Sequence, residues 1–326
     1  SEEYLVETLS TKVNFYNRDF SLVHTIVPTT EFPASYSCTI VLGSHVLIGT
    51  SNNSSIGSSG FGVLRTTLVN SNIFEEIHPD GPLLNTPFSL ELTNNDLWLS
   101  FGGYGLFFEW GGGQSSTGMS RYRQNEWRNI TYDSISSEVA LPNFLSHIAV
   151  NPFDTEQVFV SSYYSGLIEI NNEVVVNIYN ENNSSLEPFV PQRYLTSASK
   201  FDDNGALWVT NGRVQKPLNK FENNQWTSYD FTPIIPQPIG GELGFSDIVI
   251  GSDGTKWIGS YRSGLIGFNE NGMLLKNIKD KDVANLPTTK VKSLAIDKNN
   301  VLWIGTYRGL RVLYNTSNFF SEEIVR

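Results

Sequence analysis

A chain of 326 residues with 39% hydrophobic side chains carries enough apolar surface for one large core, so its length alone does not call for two domains. Its 22 Lys and Arg against 33 Asp and Glu leave a net charge of −11, which repels a phosphate backbone and argues against nucleic acid as a partner. The single cysteine, Cys38, excludes an intrachain disulfide, and its place in the apolar run Cys38-Thr39-Ile40-Val41-Leu42 predicts a buried, inert thiol.

No apolar run reaches the ~20 residues that a membrane-spanning helix needs, and Ser1-Glu2-Glu3-Tyr4 lacks the basic-then-apolar order of a signal peptide. Because the chain opens directly in strand-like sequence, it reads as one domain, 1–326, cut from a longer multidomain protein. The 20 Phe, 14 Tyr, 7 Trp and 27 Gly favour many short strands separated by turns.

In chain order, a short phrase recurs. Its first and weakest copy is Leu5-Val6-Glu7-Thr8 followed by Val13-Asn14-Phe15-Tyr16-Asn17. Next come Val46-Leu47-Ile48-Gly49-Thr50, Leu97-Trp98-Leu99-Ser100, Val158-Phe159-Val160-Ser161 and Leu207-Trp208-Val209-Thr210. The last two, Lys256-Trp257-Ile258-Gly259-Ser260-Tyr261-Arg262-Ser263-Gly264-Leu265 and Leu302-Trp303-Ile304-Gly305-Thr306-Tyr307-Arg308-Gly309-Leu310, are nearly the same sentence. Taking Val6, Leu47, Trp98, Phe159, Trp208, Trp257 and Trp303 as equivalent gives steps of 41, 51, 61, 49, 49 and 46 residues, the spacing of propeller blades.

Within a repeat the pattern reads as four strands, a to d, with mostly alternating polarity and Asn-, Asp- and Gly-rich a–b turns such as Asp202-Asp203-Asn204-Gly205. No segment sustains a helical stripe. The fold class is therefore all-β, a seven-bladed β-propeller of four-stranded antiparallel blades. A blade with two apolar faces must pack on its neighbours, so Trp98, Trp208, Trp257 and Trp303 are expected to be structural, filling gaps between blades. The segment Asn318 to Val325 is expected to be a strand, either d of the last blade or the missing a of the first.

Catalytic and metal chemistry find little support. Ser252-Asp253-Gly254 fits neither a calcium loop nor the sialidase Asp-box, and reads as a hairpin turn. His24, His45, His78 and His147 are not at metal-ligand spacing, and His147, on an expected inner strand, reads as a structural histidine near the channel. The Gly-rich runs Gly57 to Gly62 and Gly111 to Ser116 precede no helix that would hold a phosphate, and no Ser, His, Asp set assembles locally. The chain is expected to be a non-enzyme without cofactor or metal.

A binding surface is better marked. Between strands b and c, equivalent positions carry Tyr104, Tyr163-Tyr164, Tyr261-Arg262 and Tyr307-Arg308, with Asn211 and Arg213 in a diverged repeat. Repetition puts them on one face. Tyr offers a flat plate with a hydroxyl and Arg a fork of donors, which suits sugar rings, carboxylates, phosphates or protein hot spots. Long insertions at 52–60, 111–123 and 233–244 are expected to mark the recognition side.

The lines Leu302 to Leu310 and Lys256 to Ser260 resemble the regulator-propeller repeat of Bacteroidetes. The stretches Asn151-Pro152-Phe153-Asp154-Thr155-Glu156-Gln157-Val158-Phe159-Val160 and Gly118-Met119-Ser120-Arg121-Tyr122-Arg123-Gln124-Asn125-Glu126-Trp127 are most similar to a propeller of the PorZ-like proteins. That resemblance implies a scaffold domain of the type IX secretion attachment complex at the outer surface. Its implied partners are PorU, PorV and PorQ-like proteins or an anionic lipopolysaccharide. The other branch of the family implies a periplasmic ligand-sensing propeller of a hybrid two-component regulator that recognises polysaccharide fragments.

Overall fold

The computed structural model describes residues 4–51, 62–77, 80–93, 95–103, 116–140, 142–279 and 285–321. The chain divides into two compact units, Ser1–Gly81 and Pro82–Arg326. The first unit holds two antiparallel sheets. Sheet 1 is β1 (Leu5–Leu9), β2 (Lys12–Tyr16) and β3 (Leu22–Ile26); sheet 2 is β4 (Ser35–Leu42), β5 (His45–Ser51), β6 (Val63–Thr67) and β7 (Glu75–Ile77).

The second unit holds five. Sheet 3 is β8 (Ser89–Leu92), β9 (Asp96–Ser100), β10 (Met119–Arg123) and β11 (Glu126–Ile130). Sheet 4 is β12 (Leu145–Asn151), β13 (Asp154–Ser162), β14 (Gly166–Asn171) and β15 (Val174–Tyr179). Sheet 5 is β16 (Thr196–Phe201), β17 (Leu207–Asn211), β18 (Leu218–Glu222) and β19 (Gln225–Tyr229). Sheet 6 is β20 (Phe245–Ile250), β21 (Lys256–Ser260), β22 (Leu265–Asn269) and β23 (Leu274–Ile278), and sheet 7 is β24 (Val291–Ile296), β25 (Leu302–Thr306) and β26 (Gly309–Leu313). The helices are short, α1 (Tyr132–Ser136) and α2 (Pro238–Gly241).

Every sheet is a meander with strand order following chain order, and each of the seven repeat phrases lies on the b strand of its own sheet. These are the seven blades of a β-propeller. Five are four-stranded; sheet 1 begins at its b strand, β1, and sheet 7 stops at its c strand, β26, among the described residues. Residues 318–321 do not form the expected strand. Thr316–Asn318 is a turn of 3₁₀ helix, and Phe319 is buried with its ring 4.7 Å from that of Trp257. Gly267 makes the room, since a Cβ there would lie 2.6 Å from the Phe319 ring. Residues 322–325 lie outside the described residues.

The cores sit between sheets. Trp98, Met119 and Ile130 of sheet 3 pack with Ile148, Val158 and Ile168 of sheet 4, and Trp208 and Tyr229 of sheet 5 pack with Phe245, Ile258 and Phe268 of sheet 6. The b strands β17 and β21 are buried at every position, whereas the d strands β15 and β19 carry exposed residues at alternate positions over their first halves. That gradient follows from a sheet sandwiched at its inner end and wet at its outer edge.

Trp98, Trp208 and Trp257 are fully buried, as their structural role requires, but Trp303 is 40% exposed. Sheet 7 is the last of its unit among the described residues, and no later sheet there covers the indole. Cys38 also departs from expectation, being exposed. A bulge between Tyr36 and Cys38 inserts one residue into the pairing of β4 with β5 and turns the thiol away from the core that Tyr36 enters.

Candidate functional site

In a meander the b–c turns and the d–a connections fall at the same end of the sheets, so the predicted face is built from both. In the second unit the turn after β13 carries Tyr163 and Tyr164, whose rings meet edge to face at 4.8 Å. Phe144, just before β12, stacks on Tyr164 at 5.9 Å, and Phe189 lies 6.3 Å from Tyr163. Two guanidiniums cover these aromatics: Arg193 sits 5.1 Å over Tyr164 and Arg213 sits 5.6 Å over Phe189. Burial, reinforced by Tyr164, pushes the Tyr163 hydroxyl up to about 12, against the pull of Arg193 and Arg213. The Tyr163 carbonyl accepts from the amides of Tyr194 and Leu195 at 3.2 and 3.3 Å, which pins this turn of sheet 4 to the entry of sheet 5.

A second cluster joins sheets 6 and 7. The Lys290 ammonium lies 4.8 Å from the Tyr261 ring and 5.6 Å from the Tyr307 ring, a cation held between two aromatic plates. Tyr307 is 49% exposed, and Arg262 and Arg308 are exposed beside these tyrosines. Below them Glu242, 1% exposed, fixes the turn after β21. Its carboxylate accepts from the amides of Tyr261, Arg262 and Ser263 at 2.7 to 3.0 Å, and from those of Leu243 and Gly244. Burial pushes the Glu242 carboxyl up, opposed by these donors. The Arg262 guanidinium bonds the Gly240 carbonyl, which ties it to α2.

Tyr163, Tyr164 and Arg213 thus form one cluster and Tyr261 and Tyr307 another, with Arg262 and Arg308 at the rim of the latter. Tyr104 lies outside the described residues, as do the whole insertion 52–60 and residues 111–115 of the second insertion. Asn211 is not a surface group: it is fully buried, its amide bonds the Tyr194 carbonyl and its Oδ1 accepts from Glu187 at 2.9 Å. It braces the loop that carries Arg213. Phe144, Phe189, Arg193 and Lys290 escaped a reading confined to b–c turns. All four come from segments entering an a strand, and the shared end of the meander is the signal that would have found them.

The repeat's glycines and serines also gain a physical meaning. Gly118, Gly166 and Gly264 each stand just before or at the start of strand c, where an added Cβ would meet the carbonyl of Ile130, Tyr179 or Ile278 at 1.8 to 2.3 Å. Strand d closes directly over that glycine. Ser100, at the end of the b strand β9, bonds the Ser146 carbonyl at 2.5 Å, and on the a strands Ser146 bonds the Ser197 carbonyl at 3.3 Å and Ser246 the Val291 carbonyl at 2.7 Å, so small hydroxyls stitch neighbouring sheets. Among the described residues no group of His, Cys, Asp or Glu side chains is placed to hold a metal ion.

Residues 285–308, which cover β24, β25 and the Tyr307-Arg308 turn, match the family described as the two component regulator propeller. The match is confined to this one repeat. Over 99% of its length the chain is similar to PorZ, an essential bacterial surface component of the type-IX secretion system of Porphyromonas gingivalis, with a TM-score of 0.72 and 19% identity. Over 96% it is similar to the extracellular domain of a putative one component system from B. thetaiotaomicron, with a TM-score of 0.51 and 14% identity. The WD40 β-propeller domain of Doa1 matches over 99% of the chain and 92% of its own length, with a TM-score of 0.51 and 11% identity. The chain spans 44% of the length of PorZ and 38% of that of the B. thetaiotaomicron domain. At these identities the likeness carries the propeller fold. No curated protein matches the chain. No helix among the described residues is long and apolar enough to cross a membrane.

Proposed function

We propose that this propeller is a non-catalytic binding and scaffold module of a type IX secretion attachment complex at the bacterial outer surface. Its ligand on this reading is the anionic glycan of a lipopolysaccharide, taken at the b–c face, with attachment-complex proteins of the PorU, PorV and PorQ kind as neighbours. The observation that supports it is the placing of Lys290 between Tyr261 and Tyr307, with Arg262 and Arg308 exposed beside them, on a chain whose net charge is −11. Flat aromatic plates take the faces of sugar rings, and fixed cations take acidic or phosphorylated substituents. The likeness to PorZ supports the setting.

A regulator-propeller match that ends inside the Tyr307-Arg308 turn favours a second reading, a periplasmic sensing propeller for polysaccharide fragments. One binding experiment addresses both. Replacing Tyr261, Arg262, Tyr307 and Arg308 by Ala should weaken binding of purified anionic lipopolysaccharide by at least about tenfold, with a salt dependence that falls as the cations are removed. Unchanged affinity in a variant with wild-type circular dichroism sinks the assignment of this face. Equal affinity of the intact protein for lipid-free, uncharged oligosaccharides favours the sensing reading.

A further inference from the structure

In the second unit the five a strands, β8, β12, β16, β20 and β24, are successive neighbours, and they wall a cavity of about 490 Å³ that is separate from the Tyr and Arg face. Each strand contributes one ionisable side chain to the wall: Glu91, His147, Lys200, Asp247 and Lys292. Read around the wall, these are acid, imidazole, base, acid and base. Bulges interrupt the pairing at Leu145/Ile148, Thr196/Ser199, Phe245/Asp247 and Val291/Ser293, so the four strands from β12 onward all break their ladder beside the cavity. Bulges re-aim side chains and gather next to binding sites.

The polar groups are pre-oriented. Lys200 bonds Glu91 at 2.7 Å; Asp247 accepts from the amides of Leu294 at 2.7 Å and Ile248 at 2.9 Å. Burial pushes His147 below its usual value, against the pull of the Asp247 charge, and its ring stands edge to face with Phe88. Ser199 lines the same cavity while only 4% exposed, and its hydroxyl has no hydrogen-bond partner among the described residues. Phe88, Leu90, Ile148, Ile248 and Leu294 supply the apolar part of the wall.

We propose that this cavity binds a small zwitterion, a molecule of amino-acid to dipeptide size that carries an ammonium and a carboxylate together. The acidic side chains Glu91 and Asp247 are matched in number by the basic side chains Lys200 and Lys292, so a ligand of a single charge sign finds no excess counter-charge to offset its desolvation. A zwitterion satisfies both signs at once: its carboxylate meets Lys292 or Lys200, and its ammonium meets Asp247 or Glu91. The volume lies within the roughly 300–1,000 Å³ range of small-molecule sites.

The test is a ligand panel on the full chain, followed by thermal unfolding and calorimetric titration. Free amino acids and glycylleucine are the probes, with butylammonium, butyrate, glucose and maltose as controls. At about 100 times Kd the zwitterions should raise Tm by ~5 °C while the controls leave it unchanged. Lys292→Gln should weaken zwitterion binding about tenfold, and the variant lacking Tyr261, Arg262, Tyr307 and Arg308 should bind as the parent does. That last comparison separates this site from the b–c face. No response to any zwitterion, an equal response to the singly charged or sugar controls, or full affinity in Lys292→Gln overturns the proposal; the panel on the unaltered protein decides even where the variant does not fold.

Discussion

Arg121 shows how much a single buried charge asks of its surroundings. It is 3% exposed, sits 4.9 Å over the Trp98 ring, and pairs with Asp96 at 2.6 Å, Glu156 at 2.8 Å and Glu173 at 3.3 Å. Burial opposes its charge, but the hydrogen bonds it donates to Glu156 and Asp96 outweigh that and hold the guanidinium protonated. Hydrogen bonds from Arg121, with burial opposing and Arg123 adding, lower the Glu156 carboxyl to about 2. A carboxyl depressed in the folded state stabilises fully above its unfolded value of about 4.3, and loses that contribution as pH falls toward about 2. Urea midpoints measured across that window should fall, and Glu156→Gln should flatten the fall while lowering the midpoint at neutral pH. The tryptophans make a second residue-scale contrast. Trp208→Ala removes a fully buried ring and should cost about 3–5 kcal/mol in urea unfolding, whereas Trp303→Ala, at 40% exposure, should cost under about 2.

At the scale of the element, the b–c turn is where one residue type has to be glycine. Gly264 has φ +74, and its added Cβ would lie 1.9 Å from the Ile278 carbonyl of β23. Gly309 stands at the same place in its repeat with φ +120, but sheet 7 has no described d strand and nothing lies within 4 Å. Gly264→Ala therefore combines a left-handed backbone with a backbone collision, and should cost more than about 3 kcal/mol; Gly309→Ala carries only the dihedral strain, about 1–2. Equal losses in the two urea titrations would show that the d strand does not set the constraint. The a–b hairpins were legible as turns because their chemistry is local: the Asp202 carboxylate accepts from the amides of Asn204 and Ala206, both at 3.0 Å, and from the Trp208 indole at 2.9 Å. The b–c face was half legible. Tyr163, Tyr261 and Tyr307 recur at fixed offsets from the tryptophan position, while Lys290 and Arg193 sit in connections whose lengths differ and keep no offset.

For the whole molecule, a net charge of −11 means that compaction works against self-repulsion. Raising NaCl from about 10 mM to about 150 mM shortens the Debye length from about 30 Å to about 8 Å, and should raise the urea midpoint. A lower midpoint in salt would show that ion pairs such as Arg121 with Asp96 and Glu156 contribute more than the repulsion does. The amino-acid sequence by itself determined the all-β class, the seven repeats and the strand that carries each phrase, because alternation, turn residues and a recurring tryptophan are properties of neighbours along the chain. Only the tertiary structure decided that Cys38 faces outward, that Asn211 is a buried brace, that Phe319 folds back onto Trp257, and that five a strands wall a cavity of mixed charge. Each of those depends on which sheet lies beside which, and residues distant in sequence come together there without leaving a periodic mark in the chain.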